Sequence, residues 1–128
     1  MRYACLVYID RSKLQAWTDE EWRRLRRESS ACEDELRRGG YLVAAEVLSC
    51  EGTATTLRVR EGRQHTIDGP AVTTREELGG VLMLEARDLN EAIRLAARHP
   101  AARLGGIEIR PVAAGRTGPP GNAVPEPV

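Results

Sequence analysis

The chain has 128 residues, and its 19 Lys plus Arg balance 19 Asp plus Glu, so the formal net charge is zero. That length suits one domain with one hydrophobic core. The charge balance excludes a general nucleic-acid binder, which needs a positive excess to displace counterions, and also a polybasic membrane anchor. The cysteines Cys5, Cys32 and Cys50 are odd in number and lack a C-x-x-C pair, and only two histidines accompany them. No structural zinc site is expected from that set. The three read as reduced, half-buried thiols of a cytoplasmic protein.

Tyr3 to Ile9 is apolar at nearly every position, which predicts a strand covered on both faces. The run is too short to span a membrane and carries no cleavage-site pattern. Thr18 and Glu21 form a capping box that opens a helix. Trp22, Leu25, Ser29, Cys32 and Leu36 then recur at helical spacing as an inward stripe. Arg23, Arg24, Arg27 and Glu28 lie on the other side, a mixed-charge face that reads as solvated. Gly39-Gly40 stops the helix. Tyr41 to Leu48 predicts a second strand. Thr53 to Arg60 alternates in polarity, and Glu61-Gly62 turns it back into Arg63 to Asp68, a hairpin. Asp68-Gly69-Pro70 is a turn signal. Leu78-Gly79-Gly80 leads into Val81 to Leu84, again apolar on both faces. Asp88 caps a second helix with Leu89, Ile93, Ala96 and Ala97 inward, and His99-Pro100 ends it. Gly106 to Val112 is the last strand, at a sheet edge because Pro111 lacks an N–H.

The order strand, helix, strand, hairpin, strand, helix, strand predicts an α+β fold, the ferredoxin-like split βαβ plait with an extra hairpin. Its central strands would be the first and the one before the second helix. Both helices would cover one sheet face. Leu6, Tyr8, Leu82 and Leu84, or their neighbours, would then leave apolar surface on the other. A second copy packed sheet to sheet would cover it, so a homodimer is expected. The domain is read as residues 1–112. Residues 113–128, rich in Pro and Gly, read as a flexible tail.

Several separate motifs occur in a fixed order: Thr53 to Arg60, Asp68-Gly69-Pro70, Thr74-Arg75-Glu76-Glu77-Leu78-Gly79-Gly80, the helix from Asp88, and Ile107 to Val112. Together they resemble the YCII-related proteins, and within them the branch called the DGPF-domain family, from Arg2 to Val112. One departure is Ala71, where that family carries phenylalanine after Asp-Gly-Pro. The resemblance implies a dimeric α/β barrel. It implies little about substrate, since most DGPF relatives have no established activity. Many are encoded beside extracytoplasmic-function sigma factors, which implies a regulatory setting. In the wider group a His–Asp dyad is proposed as catalytic, and one member removes chloride from a hydroxylated aromatic ring. The positions here that match such a dyad are His99 and Asp68.

His99 beside a carboxylate could act as general acid or base near neutral pH; equally, it could cap the helix C-terminus. Asp68 could orient it, or form an Asx-turn. Glu46 interrupts an apolar run and is either edge-exposed or aimed into a cleft. Tyr8 offers a hydroxyl to a ligand or packs in the core. Pro70, in the turn after Asp68, joins Tyr8 and Glu46 as a candidate substrate contact. His65, Arg58, Arg60 and Arg110 read as surface. No phosphate loop, nucleophile elbow or H-E-x-x-H motif is present. The expectation is a cofactor-independent enzyme acting on a small molecule. The rival is a non-catalytic binding or regulatory protein, linked to sigma-factor control.

Overall fold

The computed structural model describes residues 1–113. Six strands and two helices follow in the order β1 (Arg2–Ile9), α1 (Asp19–Arg38), β2 (Leu42–Val47), β3 (Thr55–Arg60), β4 (Arg63–Asp68), β5 (Glu77–Glu85), α2 (Leu89–Ala97) and β6 (Gly105–Pro111), with short 3-10 helices between some of them. Four strands form one antiparallel sheet in the order β2-β5-β1-β6, and β3 pairs with β4 as a separate hairpin. This mixed α+β arrangement is compatible with a plait. Its central strands are β1 and β5, and β6, which carries Pro111, lies at an edge.

Local chemistry explains the element ends. Thr18 Oγ1 accepts the Glu21 N–H at 3.1 Å, and the Glu21 carboxylate accepts the Thr18 N–H at 3.4 Å, closing the capping box of α1. At the other end the Tyr41 N–H reaches the Leu36 carbonyl at 2.9 Å and the Gly40 N–H reaches Arg37 at 3.1 Å. Those two bonds make a Schellman motif, and Gly40 supplies the left-handed residue it needs, with φ +81°. Glu61 and Gly62 both have positive φ, 52° and 74°, so the hairpin turns through two left-handed residues that match the twist of its strands.

The core lies between the helices and one sheet face. Tyr3, Cys5 and Val7 of β1 and Leu82 and Leu84 of β5 pack there with Leu36 of α1 and Ala92, Leu95 and Ala96 of α2. On the opposite face Ala4, Leu6 and Tyr8 stand against Met83, Val81 and Leu78, all half-exposed. Leu82 and Leu84 therefore face the helices, and their neighbours Val81 and Met83 occupy the open face. Two sequence expectations shift. Leu89 and Ile93 are about half exposed, at 48% and 47%, and Ala97 is exposed too. Of the four expected, Ala96 alone is buried, and the inward stripe of α2 is Ala92, Leu95 and Ala96, because the small alanines let the helix sit close to the sheet. Strand β5 also starts earlier than Val81 and includes Gly79-Gly80. A Cβ on Gly79 would lie 2.7 Å from Ile9 Cδ1, and one on Gly80 would lie 3.2 Å from the Glu46 carbonyl. These glycines sit inside the strand, where neighbours come close. The expected flexible tail lies, from residue 114 on, outside the described residues.

Candidate functional site

His99 follows α2 and opens the short 3-10 helix Pro100–Arg103. Proline at the first position of that turn has no N–H to satisfy, and the His99 ring caps the next one: Nδ1 accepts the Ala101 N–H at 3.2 Å. The other ring nitrogen, Nε2, lies 2.9 Å from Glu33 Oε2. One neutral tautomer satisfies both bonds, with the proton on Nε2 donated to the carboxylate. The ring is only 6% exposed. Glu33 stands on α1 four residues after Ser29 and three before Leu36, at the border of the inward stripe, and is half-buried. The pair lines a cleft of about 350 Å³ between α1 and the sheet. Trp22, Leu25 and Ile9 supply apolar wall there, and Arg26 stands exposed at its rim; Glu46 borders it from edge strand β2, but its pairing with Val81 turns its side chain to the open face of the sheet. Gly79 and Gly80 border it too and contribute no side chain. Glu33 thus presents to the cleft a carboxylate oriented by an imidazole, a group able to accept a hydrogen bond or a proton.

A second cleft, of about 600 Å³, lies on the other side of the sheet, under the segments flanking the hairpin. Tyr8, Leu48, Leu78, Pro70 and Val72 give it a largely apolar wall. The Tyr8 hydroxyl makes no hydrogen bond among the described residues. Beside this cleft runs a polar belt. The Glu77 carboxylate, nearly buried, accepts a hydrogen bond from Arg11 Nε. Asp10 accepts from the Ser12 hydroxyl at 2.6 Å and the Ser12 N–H at 3.1 Å, and Arg75 stands 3.6 Å away. The Ser12 hydroxyl bond holds the Asp10 carboxyl below its ordinary value, against the opposing effect of burial; the Ser12 N–H and the charges of Arg75 and Lys13 help.

The residues singled out in the sequence divide between these two places. His99 and Glu46 border the α1 cleft, while Tyr8 and Pro70 border the other. Asp68 borders neither: it ends β4 opposite Thr55, exposed, and its carboxylate has no hydrogen bond or ion pair among the described residues. The His99–Asp68 pairing is therefore not formed. Both ring nitrogens of His99 are engaged by Ala101 and Glu33. The Asx-turn is absent as well, and the turn is held instead by the Gly69 N–H on the Ala54 carbonyl and the Thr56 hydroxyl on the Gly69 carbonyl, both at 2.8 Å. Glu46 is exposed on edge strand β2, so it lacks the burial that would make it a proton shuttle. Glu33 is the residue sequence reasoning missed. Its place beside Cys32 on the inward stripe was a signal, but its partner is 66 residues away, and no local pattern reports that distance.

The thiols are all free. Burial pushes Cys5 up to about 11 and raises Cys32 as well, so neither is a ready nucleophile. Among the described residues no cluster of three His, Cys, Asp or Glu side chains is placed to hold a metal ion. None of the described helices is long and apolar enough to cross a membrane.

Comparison with known proteins points to one family. The sequence profile of the YCII-related domain matches residues 1–115. An uncharacterized protein of Rhizobium meliloti (strain 1021) is 35% identical over 115 residues, covering 88% of this chain and 93% of the relative. A profile match that spans every described residue, together with that identity, places the protein in the YCII-related family.

Proposed function

We propose that this protein takes a small organic molecule into the cleft between α1 and the sheet, with Glu33 as the acceptor of a ligand N–H or O–H and His99 as the residue that positions Glu33. The observation that carries this reading is the partly buried Glu33–His99 bond of 2.9 Å at the wall of an otherwise largely apolar cleft. Clefts of this size with few, fixed polar groups are the usual form of small-molecule sites. The chemistry the pair supports is cofactor-independent proton transfer: Glu33 takes the proton and His99 holds the carboxylate in place. The Asp68-Gly69-Pro70 turn and the motifs around it support the DGPF branch of the family. The half-exposed apolar face of β1 and β5 supports a homodimer packed sheet to sheet.

A second reading, a ligand-binding or regulatory protein without turnover, is favoured by one feature. Both ring nitrogens of His99 are engaged, so the imidazole offers no free lone pair to a substrate. NMR separates the readings. A fragment library is screened in D2O, with the Trp22 indole and His99 ring signals as reporters. The proposal expects compounds that shift both signals, lose binding in Glu33→Gln, and exchange a C–H for deuterium only with the native protein. Binding without exchange leaves the non-catalytic reading standing. Compounds that move only Tyr8 and Val72 would assign the ligand to the other cleft and overturn the proposal.

A further inference from the structure

We infer that the outer edge of β6 and the exposed flank of α2 form a self-association surface, on which β6 of a second copy pairs antiparallel about a two-fold axis at Ile109. This surface is separate from the open face of the sheet. Strand β6 ends the sheet beyond β1, and no described strand pairs with its outer side. The Val112 N–H bonds the Arg2 carbonyl at 2.8 Å, and the Asp10 N–H bonds the Leu104 carbonyl at 3.3 Å. In an antiparallel pair such bonds fall on every second residue, so the even-numbered residues of β6 are spent on β1. The backbone groups of Gly105, Ile107 and Ile109 point the other way, unpaired among the described residues. Pro111 blunts only the last position of this edge. Apolar side chains lie above it. Arg98, which caps α2, reaches Glu35 of α1 at 2.8 Å, so that flank of α2 faces α1. Leu89, Ile93 and Ala97 recur four residues apart on the opposite flank, beside β6, and all are exposed. Ile107 and Ile109 continue the patch on the sheet, half-exposed.

The charges select the partner. Glu108 and Arg110 stand opposite Leu6 and Ala4, so both point to the open-face side of β6, and both are exposed. In a two-fold pairing centred on Ile109, each Glu108 faces Arg110 of the other copy, and the two Ile109 side chains meet beneath the α2 flanks. Within one copy Arg110 Nε lies 2.6 Å from Glu108 Oε2, and pairing gives each group a second partner. Opposite charges directly across a strand pair stabilise it, and like charges oppose it. A pairing centred on Glu108 would set two glutamates face to face, so the charges select the register too. The chain has zero net charge, so two copies approach without long-range repulsion. In this register the Ile109 N–H meets the Ile109 carbonyl of the other copy, and the Ile107 N–H meets its Pro111 carbonyl. The missing Pro111 N–H leaves the Ile107 carbonyl to water. With so few backbone bonds and a small apolar contact, the pairing is weak, with a Kd of ~100 µM, and micromolar solutions do not show it.

The experiment follows amide hydrogen exchange of the full chain by NMR at about 10 µM and about 1 mM, on either side of that Kd. The Ile107 and Ile109 amides should exchange about fivefold more slowly at the higher concentration, while the Glu108 and Arg110 amides, which face β1, keep their rates. Glu108→Arg sets like charges across the pair and should remove most of the slowing. Adding Arg110→Glu to it restores opposite charges and should bring the slowing back. Met83→Glu, on the open face, should leave it intact. Ile107 and Ile109 rates that are equal at both concentrations overturn the inference. So does a Glu108→Arg variant that slows like the native chain, or a double variant that stays fast. Loss of the slowing in Met83→Glu would assign the association to the open face and overturn it as well.

Discussion

At the scale of single residues, the polar groups that leave water are each matched to a partner. Among the described residues no buried side-chain nitrogen or oxygen lacks a hydrogen bond. His99 and Asp10 show two ways of achieving this. His99 is shared between a turn and a distant helix. Asp10 is closed locally by Ser12, two residues on. Asp10 also yields a pH prediction. Its carboxyl is held below the ordinary value of 3.8 in the folded chain. A depressed folded value means the unfolded state binds the proton first as pH falls, so the Asp10 contribution is whole above that ordinary value and is lost as pH drops through the lower folded one. Urea unfolding of the native chain and Asp10→Asn should therefore differ most at neutral pH. The gap should close in strong acid. A gap that stays constant from pH 7 to pH 2 would mean that the charge of Asp10 contributes nothing.

Elements are positioned by close approaches that only particular residues allow. Strand β6 meets β1 at Gly105, where an added Cβ would lie 2.1 Å from the Tyr8 carbonyl oxygen. That contact is with backbone, so the strands themselves would have to part. Gly105→Ala should cost about 2 kcal/mol or more in chemical denaturation. Gly106→Ala, whose methyl meets nothing within 4 Å, should change stability by less than about 0.5 kcal/mol. Equal effects at the two positions would show that the β1–β6 approach is not what glycine serves. The same strand pair matters for function. It carries the chain from α2 back across the sheet, and the 3-10 helix just before it holds His99 against Glu33.

For the whole molecule the open face of the sheet dominates. Leu6, Tyr8, Val81 and Met83 are half-exposed there. Leu57, Val59 and Ile67 of the hairpin are each more than half exposed, at 58%, 57% and 54%. A two-stranded hairpin is marginal by itself, so such surface calls for cover. The proposed pairing of two copies gives a direct expectation: light scattering at micromolar concentration should read twice the 14.1 kDa chain mass. Met83→Glu, a charge in the middle of the open face, should return it to a monomer that remains folded by circular dichroism. A native chain that scatters as a monomer would sink the pairing.

The sequence by itself determined the elements and their order. Capping boxes, glycine stops, the left-handed hairpin turn and strand alternation are local rules, satisfied within a few residues. They placed α1, the hairpin and the central strand β1, and they found β5 but not its first residues. Even Pro111 marked its strand as an edge, because a missing N–H is a local fact. Periodicity was less decisive where alanines carry the packing, as in α2, since small residues give a weak signal of direction. What lay beyond local reach was the choice of partners. His99 could be recognised as a residue that would seek a carboxylate, but whether Asp68 or Glu33 answers depends on how α1 lies against the turn after α2. Likewise only strand register, which pairs Glu46 with Val81 and Val81 with Leu6, shows that Glu46 turns to the open face of the sheet rather than toward the helices. Pairings across 66 residues are decided by tertiary packing, because only the folded sheet brings those backbones together and fixes which side of it each side chain meets.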